Sequence, residues 1–181
     1  MISEELQVLK IVTERLHKAK ILYMISGSMA SNYYSIPRMT RDIDIVIELA
    51  KLDVERFIKL FQKDFYIDEQ VVKDELKIQG MFNVIHNKFV IKVDFIYRKS
   101  SDFQDSTFKR RKKVMIEHVP MYFISVEDLV LAKLLWARDS LSELQLNDVR
   151  NLLKLVKNLE IAYIDEWVHK LNIRDIYKKV K

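Results

Sequence analysis

Apolar residues recur along this chain in two rhythms. Leu6, Leu9, Ile11, Val12 and Leu16 share one broad face and predict a helix over 3–18. The run Ile21-Leu22-Tyr23-Met24-Ile25 suits a buried strand, and Gly27-Ser28 opens a short helix over 29–34. Pro37 marks a loop. Over 42–48 the period falls to two, with Ile43, Ile45 and Ile47 on one face and Asp42 and Asp44 on the other. Residues 52–63 return to helical spacing, 66–72 and 76–86 read as two further strands, and 89–97 as another with Phe89, Ile91, Val93 and Phe95 inward. The polar stretch 101–107 reads as a loop, and 114–118 as a strand. Ser125-x-x-Asp128 resembles a helix N-cap, leading into a helix over 129–138, and from Leu144 the pattern is helical almost to the end. The expected class is α/β (α+β). A mixed sheet flanked by helices occupies 1–124, and a helical region over 125–181 packs on that core.

The 181 residues are enough for one domain or a domain with a helical appendage, and 49% hydrophobic with 31% charged fits a folded globular chain. No apolar run is long enough to cross a bilayer, and the acidic, amphipathic start is unlike a signal peptide. There is no cysteine, which excludes disulfides, thiolate metal sites and cysteine nucleophiles. The expectation is a cytoplasmic protein without a membrane partner. A net charge of +5 modestly favours polyanions such as triphosphates or RNA. The run Lys109-Arg110-Arg111-Lys112-Lys113 is a candidate for RNA contact, although a solvated basic segment is the preferred reading. Tyr33, Tyr34, Trp136 and Trp167 read as packing residues. The four histidines lack zinc-ligand spacing, and neither a Walker-type loop nor a nucleophile elbow is present.

Chemistry concentrates in one stretch. Only two glycines occur, and one precedes Ser28, where backbone freedom and exposed N–H groups at a helix start can hold phosphates. Asp42 and Asp44, two apart on a strand, point to the same side and are placed to bind divalent metal. An isolated Asp-x-Asp pair is most often the wet face of a sheet. Asp94, in a second apolar run, completes an acidic cluster if the two strands are neighbours. Two magnesium ions on such acids would serve transfer of a nucleoside monophosphate from a triphosphate (NTP) to a hydroxyl.

Gly27-Ser28, the short helix, Asp42-x-Asp44 and the later Asp94 resemble the DNA polymerase beta nucleotidyltransferase superfamily. More narrowly, Ile25-Ser26-Gly27-Ser28-Met29-Ala30 with Arg38-x-Thr40-Arg41-Asp42-Ile43-Asp44 resembles the AbiEii/AbiGii-like nucleotidyltransferases, many of them toxins of toxin–antitoxin systems. The stretch from Ser125 through Lys133 to Arg138, and Asn147-Asp148-Val149-Arg150, are similar to that group's later helices. The resemblance implies that Gly27 and Ser28 contact phosphates, that Asp42, Asp44 and Asp94 bind magnesium, and that Lys133 meets the triphosphate. It also implies that Arg38, Thr40, Arg138 and Asp148 support the site. The implied acceptor is a hydroxyl of RNA (tRNA among them) or protein, with a cognate antitoxin as partner. The alternatives are an enzyme acting on a small aminoglycoside-like compound, and a non-catalytic nucleotide- or partner-binding module on the same fold.

Overall fold

The computed structural model describes residues 3–140 and 142–181, and begins with helix α1 (Glu4–Lys18). The Ser3 hydroxyl caps it by accepting from the Leu6 amide at 3.2 Å, and Glu4 and Glu5 sit at the positive end of the helix dipole. Val8, Leu9, Val12 and Leu16 of α1 are buried in the core. Strand β1 (Leu22–Ile25) leads into α2 (Gly27–Tyr34), and β2 (Asp42–Glu48) pairs antiparallel with β1. A 3-10 turn (Lys51–Asp53) and α3 (Val54–Phe61) follow, and Phe57 of α3 packs edge-on against Phe82 and Phe95.

Two expectations need correcting. The strands expected over 66–72 and 76–86 are a short strand β3 (Phe65–Ile67), a helix α4 (Glu69–Ile78) and a strand β4 (Met81–His86). The Asp68 carboxylate accepts from the amides of Gln70 and Val71 at 2.9 and 3.0 Å, and Gln79 closes the helix in a left-handed conformation. These end signals outweigh the strand preference of Val71-Val72. After β5 (Ile91–Tyr97), the stretch expected as a loop opens α5 (Asp102–Arg110). Ser101 caps it through the Gln104 amide at 3.2 Å, and Phe103, Thr107 and Phe108 bury one stripe against the core. Strands β6 (Lys112–Ile116) and β7 (Val119–Phe123) form a hairpin, whose turn residues Glu117 and His118 both have positive φ, the type of turn that suits twisted strands. The sequence reading did not include β7.

The seven strands make one sheet in the order β3-β4-β5-β2-β1-β7-β6. The β2–β5 and β1–β7 pairs are parallel and the other neighbours antiparallel. Ile43, Ile45 and Ile47 of β2 are fully buried, on the face opposite Asp42 and Asp44. Four helices complete the chain: α6 (Val126–Ser140), α7 (Glu143–Leu155), α8 (Ile161–Lys170) and α9 (Arg174–Lys178). Helix α6 touches each of the other three and also α2, so its flank lies over the acidic strand ends. The expected mixed α/β architecture is the one observed. Among the described residues, no helix is long and apolar enough to cross a membrane.

Candidate active site

The parallel pairing of β2 and β5 sets Asp44 directly opposite Asp94, and Asp42 opposite Lys92. The three carboxylates therefore share one face of the sheet, although about fifty residues separate Asp94 from the other two in sequence. Asp94 is only 6% exposed, and its Oδ1 has no hydrogen-bond partner. Its Oδ2 lies 2.9 Å from Lys92 Nζ, which also stands 3.5 Å from Asp42. Burial, followed by the charge of Asp94, raises the Asp44 carboxyl above the ordinary value, against an opposing hydrogen bond from the Ser28 amide. The hydrogen bond to Asp94 holds the Lys92 ammonium above its ordinary value.

Gly27 makes the approach to Asp44 possible. Its φ is +57°, and a Cβ there would lie 1.8 Å from Asp44 Oδ2. The Ser26 amide donates to the Asp44 carbonyl at 2.9 Å, which ties the turn to β2. The first turn of α2 thus presents its N–H groups beside the acids, the arrangement that binds anions at helix starts.

A second polar cluster faces the first. Lys133, 3% exposed, donates to Asp148 Oδ2 at 2.8 Å and to Gln145 Oε1 at 2.9 Å. Arg38 reaches both Asp148 oxygens at 3.3 and 3.2 Å and donates to Ser28 Oγ at 2.6 Å. Burial alone would raise the Asp148 carboxyl, but hydrogen bonds from Lys133 and then Arg38 hold it below its ordinary value. Lys133 is pulled the other way: its burial exceeds what Asp148 returns, so the ammonium is lowered. The contacts decide for an ionised pair, because Lys133 has two acceptors within hydrogen-bond range and Asp148 two cationic donors.

These groups line a cleft of about 320 Å³ between that face of the sheet and α6–α7. Gly27, Ser28, Arg38, Thr40, Asp42, Asp44, Asp94 and Lys133 all border it. Asp148 stands behind, bonded to Lys133 and Arg38. The Thr40 hydroxyl donates to the Asp42 carbonyl at 3.2 Å, bracing the entry to β2. Arg138 does not join them: it pairs with Asp139 at the surface, at 2.6 Å. In the basic run, Arg110 is drawn to Glu127 and Glu160, and Arg111 lies over the rings of Phe108 and Tyr122, which leaves Lys109, Lys112 and Lys113 exposed. Trp136, expected as a packing residue, is 62% exposed and borders the cleft. Sequence reasoning also passed over Lys92 and Gln145. Lys92 had a usable signal, since it lies two residues before Asp94 and so on the same side of β5.

Among the described residues, no group of three His, Asp or Glu side chains stands gathered to hold a metal ion as they lie. Lys92 occupies the space between Asp42 and Asp94. The donor chemistry nonetheless fits a hard divalent cation. All the ligands are oxygens, Asp94 Oδ1 is buried without a partner, and Asp44 is destabilised as an anion by burial and then by the neighbouring acids.

No family model and no curated protein matches this sequence. Solved structures do match. The chain is similar to the lincosamide antibiotic adenylyltransferase LnuA in its lincomycin-bound form, at TM-score 0.58 and 14% identity, over 86% of this chain and 99% of that one. It is similar to the antibiotic-resistance factor ANT(2'')-Ia at TM-score 0.59 and 10% identity, over 97% and 95%. An antigenic nucleotidyltransferase-like protein of Paracoccidioides brasiliensis matches at TM-score 0.57 and 17% identity, over 97% and 93%. The class these likenesses define is the nucleotidyltransferase fold. At such identities they establish the fold and leave the reaction to be argued from the site.

Proposed function

We propose that the protein transfers a nucleoside monophosphate from an NTP to an acceptor hydroxyl, with release of pyrophosphate. One observation carries this reading: Asp42, Asp44 and Asp94 meet the N-terminus of α2 and the Lys133–Asp148–Arg38 cluster in a single cleft. A polyanion and its counter-cations need both halves of that arrangement. The amides after Gly27, the Ser28 hydroxyl and the cationic groups of Arg38 and Lys133 would bind the phosphates. Asp42, Asp44 and Asp94 would hold magnesium, two ions in the fullest form, and bound metal supplies charge neutralisation and a more acidic acceptor hydroxyl.

The residues themselves do the orienting. Asp44 is fixed by the turn at Gly27, and Asp94 presents an unpartnered Oδ1 that can accept the acceptor's proton. As the acceptor oxygen bonds to the α-phosphorus, the bond to the leaving pyrophosphate oxygen breaks. Charge building on that oxygen is met by Lys133 and Arg38. The AbiEii/AbiGii-like resemblance extends the reading to an RNA or protein hydroxyl as acceptor and to a cognate antitoxin as partner.

The test offers α-labelled NTPs and magnesium, in separate reactions, with total RNA, total protein or hydroxyl-bearing antibiotics. It runs beside an Asp42→Ala/Asp44→Ala variant. Label transferred by the wild type alone is the expected result, and the acceptor that carries it names the class. No transfer to any of these acceptors would overturn the reading.

A further inference from the structure

The two tryptophans are treated differently by the fold. Trp167 is 8% exposed and packs against Phe103, whereas Trp136 leaves 62% of itself open. Leaving a large aromatic in water forgoes the stabilisation of burial, and this one is left open inside the cleft rather than on a convex surface. Trp136 follows Lys133 by three residues on α6, which puts the indole one turn along the same helix face. Ile96 follows Asp94 by two on β5 and borders the same cleft, and Leu144 enters from α7 with 52% of its surface exposed. One cleft thus combines carboxylates and cations with an open indole and aliphatic side chains.

We propose that Trp136 is the stacking platform for the nucleobase of the bound NTP, with Ile96 and Leu144 against the edges of the base. A nucleotide joins a polyanion to a flat aromatic ring within one molecule, and this cleft offers partners for both. Every base has a π-face, so the platform adds affinity for all four nucleotides without choosing among them. The inference rests on the NTP reading above.

The test measures binding of ATP and of inorganic tripolyphosphate, each with magnesium, to the wild type, Trp136→Ala and Trp136→Phe by calorimetry. Trp136→Ala should weaken ATP about tenfold and leave tripolyphosphate unchanged, and Trp136→Phe should recover most of the loss. Unfolding midpoints should stay together, since the indole is mostly in solvent. Equal ATP affinity in wild type and Trp136→Ala, or an equal loss for both ligands, overturns the platform and leaves the transfer reading standing. A wild type that binds neither ligand overturns both.

Discussion

Gly27 and Asp44 are sterically coupled: a Cβ at position 27 would lie 1.8 Å from Asp44 Oδ2, well inside van der Waals contact. The glycine therefore serves two needs at once, a φ of +57° and space for a carboxylate against the start of α2.

Gly27→Ala should cost about 1–2 kcal/mol from backbone strain alone, plus whatever is lost as Asp44 is pushed aside. Urea unfolding would show a lowered midpoint with unchanged slope, and NTP binding should fall more steeply than stability. An alanine variant with wild-type stability would mean that the turn adopts another conformation.

Asp148→Asn should destabilise the protein at neutral pH by about 2 kcal/mol. That is below the range for a fully enclosed pair, because the cluster opens to the cleft on one side. The Asp148 carboxyl is lowered in the folded state, so its contribution is present above the ordinary value of 3.8 and is lost as pH falls from there through the lower folded value. Thermal unfolding of wild type and variant from neutral to strongly acidic pH should show two curves converging at the acid end. A gap that persists there would assign the effect to packing rather than charge.

Lys92→Met should raise the affinity of the nucleotide-free protein for a divalent cation, because the ammonium 2.9 Å from Asp94 and 3.5 Å from Asp42 competes for the same oxygens. Titration with Mn²⁺ followed by electron paramagnetic resonance reads this directly. Weaker Mn²⁺ binding in the variant would show instead that Lys92 organises the acids.

Arg138→Ala should leave both stability and NTP binding within experimental scatter. Its partner is the adjacent Asp139 at the surface, and it does not border the cleft. A clear loss of nucleotide affinity would return Arg138 to the site.

Much of the fold was legible from local pattern. The two-residue period of β2, with isoleucines inward and Asp42 and Asp44 opposite, follows from the geometry of a strand. The helices α1 and α6 follow equally from apolar spacing and a capping serine. Where the reading slipped, competing local signals were close in strength. The stretch 66–72 carries β-branched residues and a capping aspartate together, and the cap prevailed. The stretch 101–107 looks like a loop until the rest of the molecule offers a surface on which Phe103 and Phe108 can be buried.

By itself the sequence determined the Gly-Ser turn, the acidic strand and the order of elements around them, because these depend on neighbours within a few residues. It also specified the chemistry on offer, oxygen ligands and cations with no thiol. Only the tertiary structure decided that Asp44 lies opposite Asp94, since register belongs to a pair of strands and not to either alone. The same holds for the sharing of Asp148 by Arg38 and Lys133 across 110 and 15 residues. Trp136 shows the difference most plainly. Helical spacing marks a residue as available for burial, but whether it meets a partner or an open cleft depends on which faces the finished fold brings together.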